Sequence, residues 1–218
     1  MRAEHGFDSH TQYHLKMNNY FIEKYENCEK INFYDFKIDD AKNKRILNKL
    51  SEIIIDFNKL NETITVTGGV ALFLKYNKIY RSFKDIDLLI TNNPKTKLKY
   101  LNYFNNKFLI RLNREKFKSV NEYLIYYLFY NKQNKIQRFS ESEFLVLSLF
   151  SEDLQFQVDL IPFIIDAQMN SSYKSYDKFN GIKYEYVLSS KYIDYKYSFG
   201  RNIDKIDIEF YEKYLKNI

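Results

Sequence analysis

TITVTGGVALFLKYNKIYRSFKDIDLLI, residues 63–90, is the stretch whose pattern decides the fold. TITVT is short and β-branched, which suits a strand; Gly68 and Gly69 end it, and VALFLKY then reads as a helix that starts directly after the glycines. Beyond Arg81, DIDLLI reads as a second strand. Strand, Gly-Gly, helix and strand in this order predict an α/β (α+β) fold, a mixed β-sheet flanked by helices.

Working outward, the segment DDAKNKRILNKLSEIIIDFNKL places Ile46, Leu47, Leu50, Ile53, Ile54, Phe57 and Leu60 at helical spacing behind an Asp39 cap. Pro94 opens a further predicted helix through Leu98, Leu101 and Phe104. EFLVLSLF, a Ser-Glu-Asp turn and LQFQVDLIPF predict an antiparallel hairpin. Residues 188–198 and 203–217 read as two closing helices, the second turning Ile203, Ile206, Phe210 and Tyr214 inward. The expected organisation is a leader or disordered tail at 1–17, a core at 18–166 and a mainly helical appendage at 167–218.

Composition narrows the field. In 218 residues there are 21 Tyr and 19 Phe but only five Gly and two Pro, so a substantial core is available and linker-rich or collagen-like chains are excluded. A single cysteine, Cys28, excludes an intramolecular disulfide, and no Cys/His cluster has zinc spacing. No apolar run reaches the roughly 20 residues of a membrane span, so a cytoplasmic protein without a membrane partner is expected. His5, His10 and His14 all lie in the leader and are set aside.

The net charge of +6 is concentrated. Between Lys95 and Lys118 eight basic residues face one acidic residue, Glu115, with Tyr100, Tyr103 and Phe104 interleaved. This is either the solvated face of a helix or a platform for a phosphate backbone.

Alternation along a strand puts Asp85 and Asp87 on one face and Ile86 and Leu88 on the other. Two carboxylates that close repel each other, and a divalent cation between them resolves the conflict; oxygen ligands favour Mg²⁺ or Mn²⁺. In the later strand Leu154, Phe156, Val158 and Leu160 alternate with Gln155, Gln157 and Asp159, which makes Asp159 the candidate third carboxylate. Asp153 and Asp166 are its rivals, one in the expected turn and the other beyond Pro162. A surface strand with alternate Asp is the bland alternative. Against it stands the glycine pair, which lets the backbone approach a ligand while the helix start offers N–H groups to phosphate, so that a nucleoside triphosphate and its metal could be held together.

The stretch GGVALFLKYNKIYRSFKDIDLLI resembles the polymerase-beta-like nucleotidyltransferase superfamily, in particular the small prokaryotic branch that includes the abortive-infection type IV toxins and minimal nucleotidyltransferases. The similarity rests on Gly68, Gly69, Arg81, Asp85 and Asp87, on VDL around Asp159, and on LSSKYIDYKYSFGRNIDKIDI, where Lys191, Arg201, Asp204 and Asp207 match the closing pattern. It spans about residues 40–210. Phe83 stands where a Thr or Ser is common, and Asp204 precedes Lys205 where the reverse order is usual.

The resemblance implies a nucleotidyltransferase fold with a C-terminal helical segment, and metal-dependent transfer of a nucleoside monophosphate from an NTP to an acceptor hydroxyl. Asp85, Asp87 and Asp159 would be the catalytic and metal-binding carboxylates. Gly68, Gly69, Arg81 and Lys191 would contact the nucleotide, the last two being surface cations in the alternative reading. Arg201, Asp204 and Asp207 are the candidates for a structural ion-pair cluster. The implied partners are an NTP, an RNA or tRNA acceptor and, by likeness to the toxins, an antitoxin protein. The alternatives are a transferase acting on a small molecule or a protein, and a catalytically silent nucleotide- or RNA-binding module.

Overall fold

A computed structural model describes residues 20–90, 157–162, 174–179, 182–187 and 200–216, together with 99, 103, 109–110, 147–150, 196 and 197. The first elements are α1 (20–26), β1 (Glu29–Lys30), α2 (Asp40–Lys59), β2 (Thr65–Thr67), α3 (Gly68–Tyr76), β3 (Lys78–Ile79) and β4 (Asp85–Ile90). Then follow β5 (Leu109–Ile110), β6 (Leu147–Phe150), β7 (Gln157–Pro162), β8 (Lys174–Phe179), β9 (Ile182–Val187) and α4 (Asn202–Tyr214). Parallel and antiparallel pairs coexist with helices, so the fold is α+β with mixed sheets.

The chain divides into two compact units, residues 1–86 with 171–218, and residues 87–170; the division falls inside β4, between Ile86 and Asp87. In the first unit β2 pairs parallel with β9, Thr65 opposite Glu185, and β9 pairs antiparallel with β8. Thr65 Oγ1 donates to Glu185 Oε2 at 2.9 Å, which pins that register. A second, two-stranded sheet joins β1 to β3 in parallel. In the second unit the strand order is β5-β6-β7-β4. β6 and β7 are antiparallel, with Leu147 opposite Leu160 and Phe150 opposite Gln157, as the expected hairpin requires.

Helix α2 starts where its cap predicts: the Asp39 side chain accepts from the Lys42 N–H at 2.9 Å, satisfying one of the donors that a helix start leaves without an intrahelical partner. Ile46, Leu47, Leu50, Ile53, Ile54 and Phe57 are fully buried along it. Leu60, read as part of the same stripe, is 39% exposed, because it is the C-cap and the chain turns away there through Asn61 in the left-handed region. The aromatic rings of Tyr25, Phe73 and Phe83 pack among themselves with centroids 5.6–6.4 Å apart, joining α1, α3 and the approach to β4.

Two expectations differ from what is observed. The stretch 167–218, expected to be mainly helical, also contributes β8 and β9. Phe179 pairs with Ile182, so the connection is the dipeptide Asn180-Gly181, a hairpin signal in its own right. In α4 the inward face carries Asp204, Asp207, Ile208 and Phe210, whereas Ile203, Ile206 and Tyr214 are only partly covered. The helix is rotated toward its carboxylates because these have cationic partners inside the fold. Of the helix expected after Pro94, Lys99 and Tyr103 are described, and both are helical.

Asn43 is a fully buried polar residue in α2. Its Nδ2 donates to Tyr25 Oη at 3.0 Å, and its Oδ1 accepts from the Phe83 N–H at 2.7 Å. Asn43→Leu keeps the volume but strands that N–H, so we expect it to lower stability by about 1–3 kcal/mol. Urea unfolding measures this; a variant as stable as the parent would show that the bond contributes nothing net.

Candidate metal centre

Along β4 the pleat alternates as anticipated as far as Leu88, and Leu89, next on the face of the aspartates, is buried. Ile86 and Leu88 are fully buried, and Asp85 and Asp87, on the opposite face, are half-buried. Along β7, Val158 and Leu160 are fully buried while Gln157 and Asp159 share the half-buried face. β7 neighbours β4. One carboxylate oxygen each from Asp85, Asp87 and Asp159 lies within 4.8 Å of the others. Gln157 Nε2 donates to Asp159 Oδ1 at 2.7 Å and so orients the third carboxylate. Asp153 and Asp166 lie outside the described residues.

The donor set fits a hard divalent cation. Magnesium binds oxygen at about 2.1 Å, so ligands in its octahedral shell stand roughly 3 Å (adjacent) to 4.2 Å (opposite) apart, which the 4.8 Å limit on these three oxygens accommodates. Three negative charges at that separation repel in a half-buried setting, and a cation removes the repulsion. Among the described residues no sulfur or imidazole takes part in the cluster, which favours Mg²⁺ or Mn²⁺ over softer metals.

The four residues before Asp85 are held from two sides. Asn43 takes the Phe83 N–H, and Phe83 itself is a core residue, 5% exposed and packed against Phe73 and Tyr25. On the other side Arg81 makes a two-pronged pair with Asp207 of α4, Nε to Oδ1 at 2.9 Å and Nη2 to Oδ2 at 3.1 Å, while its Nη1 donates to the Ser82 carbonyl at 3.3 Å. Tyr80 Oη also donates to Asp207. Lys196 bridges Asp207 and Asp204 at 2.8 and 3.0 Å, and Arg201 pairs with Asp204 at 2.6 Å.

The expected ion-pair cluster of Arg201, Asp204 and Asp207 is therefore present, enlarged by Arg81, Tyr80 and Lys196. Burial pushes the Asp207 carboxyl up and the Lys196 amine down, both against the charged form. For Asp204 burial acts in the same sense, but hydrogen bonds and charge from Arg201 and Lys196 outweigh it and hold that carboxyl below its ordinary range. Lys196, Tyr80 and Asn43 escaped the sequence reading. Their partners are 8 to 127 residues away, and none carries a local motif.

Gly68 opens α3 with φ +68°, a conformation that a side chain would strain. A Cβ built on Gly69 would meet nothing within 4 Å. The Thr67 side chain does not cap α3, and the first turn holds no acidic residue, so the helix start is electrostatically suited to an anion. Lys191 lies outside the described residues, as does most of the basic segment; Lys99 is exposed.

A cation held by the three carboxylates would stabilise the native state by mass action, by about 2.7 kcal/mol at a hundredfold excess over Kd. We expect Mg²⁺ or Mn²⁺ to raise the melting temperature of the parent and EDTA to reverse the rise. Asp87→Asn should remain folded and lose the metal response. A variant that keeps the full metal response would remove Asp87 from the centre.

No protein-family profile matches the chain, and no match was found among curated proteins or among solved structures.

Proposed function

We propose that this chain is a metal-dependent nucleotidyltransferase that moves a nucleoside monophosphate from an NTP to an acceptor hydroxyl. The observation that carries the reading is the meeting of Asp85, Asp87 and Asp159. Beside it stand a strand that runs directly into α3 at Gly68-Gly69 and the open space over Gly69. A divalent ion held by the three carboxylates would neutralise charge on the triphosphate and polarise the acceptor hydroxyl.

The residues have distinct tasks in this reading. Asp85 and Asp87 would hold the ion that the triphosphate needs. Asp159, oriented by Gln157, takes the proton of the acceptor hydroxyl as its oxygen bonds to the α-phosphorus and the bond to the departing pyrophosphate breaks. Gly68 and Gly69 admit phosphate oxygens to the N–H groups of α3. Lys191 and Arg81 complete the nucleotide set; since the Arg81 guanidinium is engaged by Asp207, its contact with phosphate requires that pair to open. The acceptor we assign is RNA, with a tRNA end as the first choice, on the strength of the basic and aromatic composition of residues 95–118. A cytoplasmic setting and an antitoxin partner belong to the same proposal. Among the described residues no helix is long and apolar enough to cross a membrane.

Incubation with Mg²⁺, each labelled NTP and total cellular RNA tests this. The expected result is pyrophosphate release with label entering RNA. Asp87→Asn should reduce turnover at least about a hundredfold, a loss of roughly 3 kcal/mol in transition-state stabilisation, while the fold persists. Gly69→Val should leave the melt intact, because its Cβ enters open space, yet weaken NTP binding by crowding the phosphates. NTP bound but returned unchanged under every condition would identify a binding module instead, and near-parent turnover by Asp87→Asn would discard the metal assignment.

A further inference from the structure

An open surface depression of about 630 Å³ lies on the first unit, between the segment that follows β1 and helix α4. Its walls include Phe33, Tyr34 and Tyr214, with Glu209 and Glu212 beside them. The Tyr34 ring meets Phe33 at 84° with centroids 4.8 Å apart, and Tyr214 meets Phe33 at 89° and 5.6 Å. Phe33, only 8% exposed and packed also against Tyr80 and Phe210, backs an aromatic corner in which Tyr34 and Tyr214 stand perpendicular to it. Ring faces carry negative quadrupole potential, and carboxylates at the rim add to it, so the chemistry selects a cation.

Two further observations point the same way. Tyr34 sits at φ +52°, a left-handed conformation that is rare for a bulky residue, and its ring is 55% exposed rather than folded into the core. Its hydroxyl donates to Glu209, which locks the ring against the acidic edge. Within the chain, a cation already uses these rings: Lys213 Nζ stands 5.9 Å over Phe33 and 5.2 Å over Tyr214. Local charge from Glu209, Glu212 and Lys213 remains negative by one unit, so the corner can take a further positive charge or exchange Lys213 for one.

We propose that this corner is a binding site for an organic ammonium cation, with Tyr34 and Tyr214 against the charge, Phe33 behind them and Glu209 pairing with it. The site is separate from the nucleotidyltransferase reading and stands or falls without it. Lys213 is its internal competitor.

The probe is choline, set against its uncharged isostere 3,3-dimethyl-1-butanol, followed by NMR of the Tyr ring protons. Choline should saturate, and the neutral isostere should bind at least about tenfold more weakly. Glu209→Gln and Tyr34→Asn, the latter chosen because Asn tolerates the left-handed backbone, should each weaken choline about tenfold. Lys213→Met should tighten it severalfold, a gain that damage to the fold cannot imitate. A Gly-flanked lysine peptide in parallel distinguishes the source: tighter binding than choline assigns the cation to a partner's lysine, and weaker binding assigns it to a free headgroup. Failure of choline to saturate, equal binding of the neutral isostere, or indifference to both Glu209→Gln and Lys213→Met would overturn the site.

Discussion

The approach to β4 hangs on two polar contacts made by residues that precede its first aspartate. Phe83 donates its N–H to the buried amide of Asn43, and Arg81 closes on Asp207 with two parallel hydrogen bonds. One contact comes from α2 and the other from α4, so the segment 81–83 is fixed from both directions before the chain enters the strand. Alternation then does the rest: once the register of Ile86 and Leu88 toward the core is set, Asp85 and Asp87 have one face left to occupy. A slip of one residue would bury both carboxylates and expose the aliphatic pair, an exchange that costs far more than any loop adjustment.

The Asp207 contact is electrostatically demanding. Asp204 and Asp207 are fully or almost fully buried, and an unpaired carboxylate in that position would cost several kcal/mol. Arg81, Lys196 and Arg201 supply the partners, and the fork of Arg81 matches the planar carboxylate of Asp207 in a way that the point charge of a lysine would not. Such a network adds little net stability over an apolar replacement. Removing one of its partners would leave a buried charge uncompensated. Tyr80 contributes twice, stacking on Phe210 at 4.0 Å while its hydroxyl reaches Asp207, so apolar packing and charge pairing select the same helix position.

Much of this architecture is written in short stretches. Asp39 as a cap, the 3.6-residue spacing of Ile46 to Phe57, the β-branched run into Gly68-Gly69, and the alternation in DIDLLI and QVDLIP each specify a local conformation through neighbours a few residues apart. The carboxylate face was legible for the same reason, because alternation within β4 and within β7 is a covalent property of each strand. The hairpin β8–β9 was legible in principle through Asn180-Gly181, but its polar, tyrosine-rich flanks carry a weak apolar alternation and were outweighed by the helical reading of the residues after them.

By itself the sequence determined element type, the capped start of α2, the strand-glycine-helix junction and the pairing of Asp85 with Asp87 on one face, all of which depend on periodicity and backbone stereochemistry over fewer than about ten residues. Only the tertiary structure decided that β9 runs parallel beside β2, that Asp159 joins the other two carboxylates, and that Arg81 meets Asp207 across 126 residues. It also decided which face of α4 turns inward, where buried carboxylates displaced the isoleucines from the expected stripe. The physical reason is common to all four. A contact between distant segments is set by which burial and charge pairings can be satisfied together, and that condition belongs to the assembled fold rather than to any window of the chain.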